Sequence, residues 1–181
     1  MSRVHRRAKD ELVILRKRIP GLTAASLERF VLKARRAAHL VDSVNVLVTN
    51  SRELRSLNRQ FRGQDKATDI LSFPSPPLKL GGAKRIAGEL AISADMAREN
   101  ADRLGHAAAE EIKILVLHGI LHLAGFDHER DRGEMARRES RLRMQLKLES
   151  GLIERAQNQA RSAASRELVR RPPQSKRRKS L

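Results

Sequence analysis

Cysteine, tryptophan and tyrosine are missing from this sequence. Without cysteine there is no disulfide framework, no thiolate zinc site and no thiol nucleophile, and the chain fits a reducing compartment. Four phenylalanines make up the Phe, Trp and Tyr complement. Modules that read single-stranded bases by stacking need exposed aromatic platforms, so nucleic-acid binding by this chain is expected to lean on phosphate contacts. Long apolar runs are missing too: no stretch approaches the ~18 apolar residues of a membrane span. The basic residues 1–10 are not followed by the apolar segment of an export signal. A soluble, cytoplasmic protein without a membrane partner is expected.

Acid is scarce. Twenty-one Asp and Glu stand against 38 Lys and Arg, a formal net charge of +17. Such an excess points to a polyanionic partner, usually nucleic acid. Residues 155–181 hold nine Lys or Arg against the single Glu167, so this segment carries +8 and residues 1–154 carry +9. The body of the protein is therefore basic in its own right. A chain of 181 residues suits one compact domain with tails. The expected division is a basic N-terminal arm (1–11), a single catalytic domain (12–154) and a disordered basic C-terminal tail (155–181), where apolar periodicity is lost.

Within the domain, Val13-Ile14-Leu15 reads as a short strand stopped by Pro20-Gly21. Residues 24–40 carry Leu27, Phe30, Val31, Ala34 and Ala38 on one helical face. Val44, Val46 and Val48 alternate in a strand over 43–49, and Ser51 is placed to cap a helix reaching Arg59. Residues 62–69 read as a polar loop, 70–73 as a strand closed by Pro74, 75–85 as a mobile surface loop and 87–92 as another strand. Ser93 and Asp95 open a helix to about Leu104. Residues 107–124 are apolar around most of a helical circumference, which predicts a buried helix ended by Gly125. A last helix is expected over about 132–150 with Met135, Leu142, Leu146 and Ile153 as apolar contacts. Strands and helices do not alternate regularly. The order predicts an α+β domain: a small mixed sheet of about four strands with helices packed around it.

The densest chemical signal is His118-Gly-Ile-Leu-His122-Leu-Ala-Gly125-Phe-Asp-His128. Residues i and i+4 lie on one helical face, about 6 Å apart along the axis, so His118 and His122 can aim two imidazoles at one ion. Gly125 permits a sharp turn, after which His128 can return as a third ligand. A His pair alone is more often two ordinary histidines. Here the helix is otherwise apolar, unliganded imidazoles would need buried partners, and half of the six histidines fall within eleven residues. Three nitrogens and a water complete a catalytic zinc tetrahedron; three imidazoles would also accept nickel or copper. The spacing equals that of H-E-x-x-H-x-x-G-x-x-H zinc proteases. Gly119 stands where their general-base Glu stands, which argues against proteolysis.

The segment His118–His128 resembles the signature of the YbeY family of endoribonucleases and rRNA maturation factors. The resemblance extends to Leu57-Asn58 with Phe61-Arg62-Gly63, to residues 65–74 (DKATDILSFP), to residues 88–93 (GELAIS) and to residues 97–101 (ARENA). It covers roughly residues 12–150; Gln64 stands where a Lys is common. The resemblance implies a zinc-dependent, single-strand-specific endoribonuclease hydrolysing phosphodiesters in rRNA. It further implies a role in 16S rRNA 3′-end maturation and small-subunit quality control, with the small ribosomal subunit and its assembly factors as partners. In this light His118, His122 and His128 match the family's zinc ligands, and Arg62 its functional arginine. Bound zinc supplies hydroxide near neutral pH without a carboxylate base, and an arginine fork suits a phosphodiester whose charge grows in the transition state. Arg62 is expected on the polar loop; apart from the resemblance, a surface arginine is the commoner reading.

A non-catalytic ribosome-assembly protein with a structural zinc is the alternative. Structural zinc usually takes four protein ligands, and only three candidates stand out. Asp127 is expected either to orient a ligand His or to cap the helix end. Asp65 and Asp69 are expected to bond their own loop backbone, Glu110 and Glu111 to serve the helix dipole, and His5, His39 and His106 to lie at the surface.

Overall fold

A computed structural model describes residues 12–76 and 85–148. The basic arm, most of the 75–85 loop, the end of the last expected helix with Ile153, and the C-terminal tail lie outside the described residues. Nine elements follow in the order β1 (Val13–Leu15), α1 (Ala24–Ala37), β2 (Ser43–Thr49), α2 (Ser51–Arg62), β3 (Ile70–Pro74), β4 (Ile86–Ser93), α3 (Ala94–Leu104), α4 (Ala108–Leu123) and α5 (Glu134–Leu146). The sheet has the order β1-β2-β4-β3. β1, β2 and β4 run parallel, and β3 joins β4 antiparallel. The predicted α+β architecture with a mixed four-stranded sheet is what forms.

Alternation along the strands assigns the two faces of the sheet. Val44, Val46, Val48, Leu90 and Ile92 are buried in one large core with Leu115, Val116, Ile120 and Leu121 of α4. Register pairs Val46 with Leu90 and Val48 with Ile92, so these side chains stand side by side. Ala91 and Leu71, on the other face, form a second small cluster with Leu54 of α2, edged by Leu57 and Phe73. The sheet is thus sandwiched, with α4 on one face and α2 on the other. α4 packs on α1, α3, α5, β3 and β4, which is why its sequence is apolar around most of its circumference.

Element ends differ from the sequence expectation in instructive places. α1 stops at Ala37 rather than at 40: His39 takes a left-handed φ of 61°, and Leu40 N–H donates to the Arg35 carbonyl at 3.0 Å. Asn50, not Ser51, caps α2, its side chain accepting from Glu53 N–H at 2.8 Å. Ser51 opens the first turn, and its hydroxyl meets that of Ser93 at 2.7 Å. α2 also runs one turn further than expected, through Arg62, and ends at Gly63. Beyond Arg59 the sequence carries little helical signal, but Phe61 packs edge-on against Phe73 at 5.4 Å, and this contact rewards another helical turn.

Candidate metal centre

α4 ends in a Schellman motif that turns the chain back towards its own last turn. Gly125 has φ 91°, Gly125 N–H donates to the His122 carbonyl at 3.0 Å, and Phe126 N–H donates to that of Leu121 at 3.1 Å. The next turn is held by Asp127. Its carbonyl accepts from the N–H groups of Arg130 and Asp131, and its carboxylate accepts from Glu129 N–H at 3.1 Å. This turn carries His128. Of the two expected roles for Asp127, the hydrogen bonds support ordering of the chain just past the helix; its carboxylate bonds no imidazole among the described residues.

The result is convergence. One ring nitrogen from each of His118, His122 and His128 lies within 4.8 Å of the others, a set that could hold a metal ion. Ring centroids are 4.8, 5.5 and 5.3 Å apart for the pairs 118–122, 118–128 and 122–128. The Nε2 atoms of His118 and His122 are 3.2 Å apart. Two nitrogens on a tetrahedral ion with bonds of 2.0–2.1 Å stand about 3.3 Å apart, so this separation fits a shared zinc-sized cation. Access is graded: the His118 side chain is 12% exposed, His122 is half-buried and His128 is exposed. Burial, together with the charges of His118 and His128, pushes the His122 imidazole down from its ordinary 6.5 to about 4. It is therefore neutral near pH 7, the state a metal requires.

A residue that sequence reasoning missed completes the arrangement. Glu139 of α5 is buried, and its Oε2 lies 3.0 Å from His118 Nδ1. A carboxylate accepts, so Nδ1 carries the proton and Nε2 presents its lone pair towards the other two rings. The available signal was a Glu on the apolar stripe of α5, between Met135 and Leu142 at helical spacing. Asp131 sets the entry of that helix by accepting from Gly133, Glu134 and Met135 N–H groups at 2.7, 3.1 and 2.7 Å. These bonds hold its carboxyl below the usual range.

Gly119 faces the sheet. A Cβ there would stand 2.6 Å from Leu90 Cδ2 and 2.8 Å from Ile70 Cδ1. At the position that carries the general base in zinc proteases, a side chain would enter the packed core and displace the ends of Leu90 and Ile70.

Arg62 corrects its expected place. It belongs to the last turn of α2, not to a loop, and is exposed. α2 packs on the sheet face opposite α4. Other expectations shift as well. His106 is not at the surface: its side chain is 9% exposed and its Nε2 sits 2.7 Å from the fully buried Glu111. Glu111 therefore serves this pair as well as the first turn of α4. Asp65 bonds Arg55 in a fork at 2.7 and 3.0 Å instead of its own backbone, and Asp69 accepts from Asn100 at 3.4 Å. His39 is exposed, as expected.

Comparison with known proteins adds the decisive observation. A family model described as endoribonuclease YbeY matches residues 7–147. The chain belongs to the YbeY family. It is 54% identical over 155 residues to the endoribonuclease YbeY of Koribacter versatilis, covering 86% of this chain and 98% of that one. Identity to the namesake from Solibacter usitatus is 46% over 146 residues, 81% and 95% of the two chains. Among solved structures, the solution structure of TM1509 from Thermotoga maritima superposes with a TM-score of 0.51 at 27% identity, covering 92% of this chain and 99% of that one. The resemblance read from the sequence motifs is thus confirmed at family level. The YbeY match spans every element of the sheet and all five described helices.

Proposed function

We propose that this YbeY-family protein is a zinc-dependent, single-strand-specific endoribonuclease of the cytoplasm. Its substrate is rRNA, and it acts in 16S rRNA 3′-end maturation and small-subunit quality control on or near the small ribosomal subunit. The observation that carries the reading is the convergence of three imidazoles, with a core-facing glycine where a protease would carry its base. Zinc, when bound, supplies a water of lowered pKa and a Lewis acid for a phosphoryl oxygen.

The chain's own residues supply the rest. His118, His122 and His128 hold the ion, and Glu139 fixes the tautomer and orientation of His118. The exposure of His128 leaves the site open on one side, as a catalytic rather than a structural centre requires. Arg62 makes no hydrogen bond or ion pair with the described residues, and its five donors are free for a phosphodiester. Its place at the end of α2 suits an approach by a substrate strand that wraps the β3 edge of the sheet. Of the four phenylalanines, Phe30 and Phe126 belong to or pack on the core, Phe73 packs on the second cluster and Phe61 alone is well exposed, beside Arg62, so recognition stays weighted towards phosphate. No helix among the described residues is long and apolar enough to cross a membrane. The basic segment 155–181 adds sequence-independent RNA affinity.

The test is zinc content measured together with cleavage of a small-subunit rRNA precursor, in wild type and in His122→Ala. Stoichiometric zinc and cleavage in the wild type, both lost in the variant, are expected. Zinc retained with no cleavage by the wild type would instead make the ion structural and the protein an assembly factor.

A further inference from the structure

α2 carries Arg52, Arg55, Arg59 and Arg62, spaced i, i+3, i+7 and i+10. At 100° per residue they form one flank of the helix, beside the buried stripe of Leu54 and Asn58. Its one acid, Glu53, points to the opposite flank, where it binds Arg16 and Thr49. The basic flank is therefore not neutralised from within the helix.

The flank is also concave. Arg52, Arg55, Ser56, Arg59 and Asp65 line a hollow of about 410 Å³. Asp65 offsets part of this charge, its carboxyl held low by Arg55 and by the nearby charge of Arg59, and it also organises the hollow. Its two oxygens take the Nε and one terminal nitrogen of Arg55, which fixes that guanidinium and leaves the other terminal nitrogen available. Arg52 and Arg59 make no ion pair with the described residues. The side chains that converge here thus offer two unpaired guanidinium forks, a third held rigid, and a hydroxyl. That donor set suits the non-bridging oxygens of phosphate. From Arg52 to Arg59 the helix advances about 10 Å, enough to engage more than one phosphate of an extended strand. The same flank ends at Arg62.

We propose that the Arg52–Arg55–Ser56–Arg59 hollow is an RNA-backbone site separate from the histidine centre, which seats the substrate strand leading to Arg62. The inference rests on the endoribonuclease reading for its choice of polyanion. The connection 63–69 is tied to this flank through Asp65 and through Asn58, which donates to the Lys66 carbonyl at 2.9 Å, so the strand would follow a surface of fixed shape.

The probe is a fluorescent single-stranded RNA oligonucleotide, titrated over a range of salt concentrations with the full-length zinc-loaded protein. Arg52→Gln/Arg59→Gln is compared with Arg29→Gln/Arg36→Gln, which removes the same charge from exposed positions on α1. The first pair is expected to weaken binding about tenfold near 0.1 M salt and to lower the slope of log affinity against log salt by about 1.4. In cleavage, KM should rise while kcat at saturation and zinc content stay unchanged. The α1 pair should do much less. Ser56→Glu, which keeps every arginine but puts a carboxylate in the hollow, should mimic the first pair. Equal effects from both arginine pairs, or unchanged binding in the α2 pair, overturn the proposal; the flank is then a solvated face or meets a protein. Because binding is read separately from cleavage, a wild type that binds RNA through α2 but never cleaves it would sink the enzyme reading and leave this site standing.

Discussion

Glu139 and His118, on helices α5 and α4, are joined by a hydrogen bond of 3.0 Å between the buried carboxylate and Nδ1. A charged acceptor at that nitrogen raises the basicity of Nε2 and holds the ring in one orientation. Glu139→Gln keeps an oxygen acceptor but loses the charge, and zinc affinity should fall about tenfold. Glu139→Ala leaves the ring without an acceptor and should cost nearer ~100-fold, at the upper end for such partners. Competition titration with a chelating dye reads both. Wild-type affinity in the two variants would mean that Glu139 serves packing alone.

Ligand and charge roles should separate in mutants. His122→Ala should lose zinc, lose cleavage and melt at lower temperature, because metal binding is linked to folding. Arg62→Ala should keep zinc and melting temperature while slowing cleavage by about 100-fold, the scale of one lost transition-state donor. The two proteins are compared for zinc per chain, thermal unfolding and cleavage of rRNA precursor. Loss of zinc in Arg62→Ala would show that its role is structural.

Restoring the protease-like residue should not create a protease. In Gly119→Glu the added side chain meets Leu90 and Ile70 in the core. Overpacking of this kind costs about 1–3 kcal/mol, and a carboxylate without a buried partner adds to that. Denaturant unfolding should show the loss, and casein should remain uncleaved with or without added zinc. A stable variant with chelator-sensitive peptidase activity would contradict the steric argument.

The depressed His122 imidazole has a pH signature. Its value is about 4 in the folded protein against an ordinary 6.5. As pH falls below 6.5 the unfolded chain takes up this proton first, so folding stability declines between about 6.5 and 4 and the decline ends below the lower value. Metal-stripped protein unfolded in urea at pH 7, 5.5 and 4.5 should follow this trend, and His122→Ala should flatten it. Zinc affinity should weaken over the same acid range as protons compete for the three rings. A wild type and variant with the same pH dependence would exclude His122 as the source.

The elements and the three histidines were legible because their signals are local. An i, i+4 pair shares a face by helix geometry alone, glycine at 125 permits the turn that returns His128, and valine alternation at 44, 46 and 48 marks the buried side of β2. What depended on tertiary structure joins residues distant in sequence or changes a local outcome through packing. Glu139 reaches a histidine 21 residues away only because α5 crosses α4 at that level. His106 is drawn inside by the buried Glu111. α2 gains its final turn, and Arg62 its helical setting, from the contact of Phe61 with Phe73 on the α2 face of the sheet. Gly119 read in sequence as a missing base; the sheet beneath it shows that a side chain there would have to displace Leu90 and Ile70. Local hydrogen bonding and periodicity can be read along a chain, whereas the partners of a buried polar group are chosen by how its elements cross.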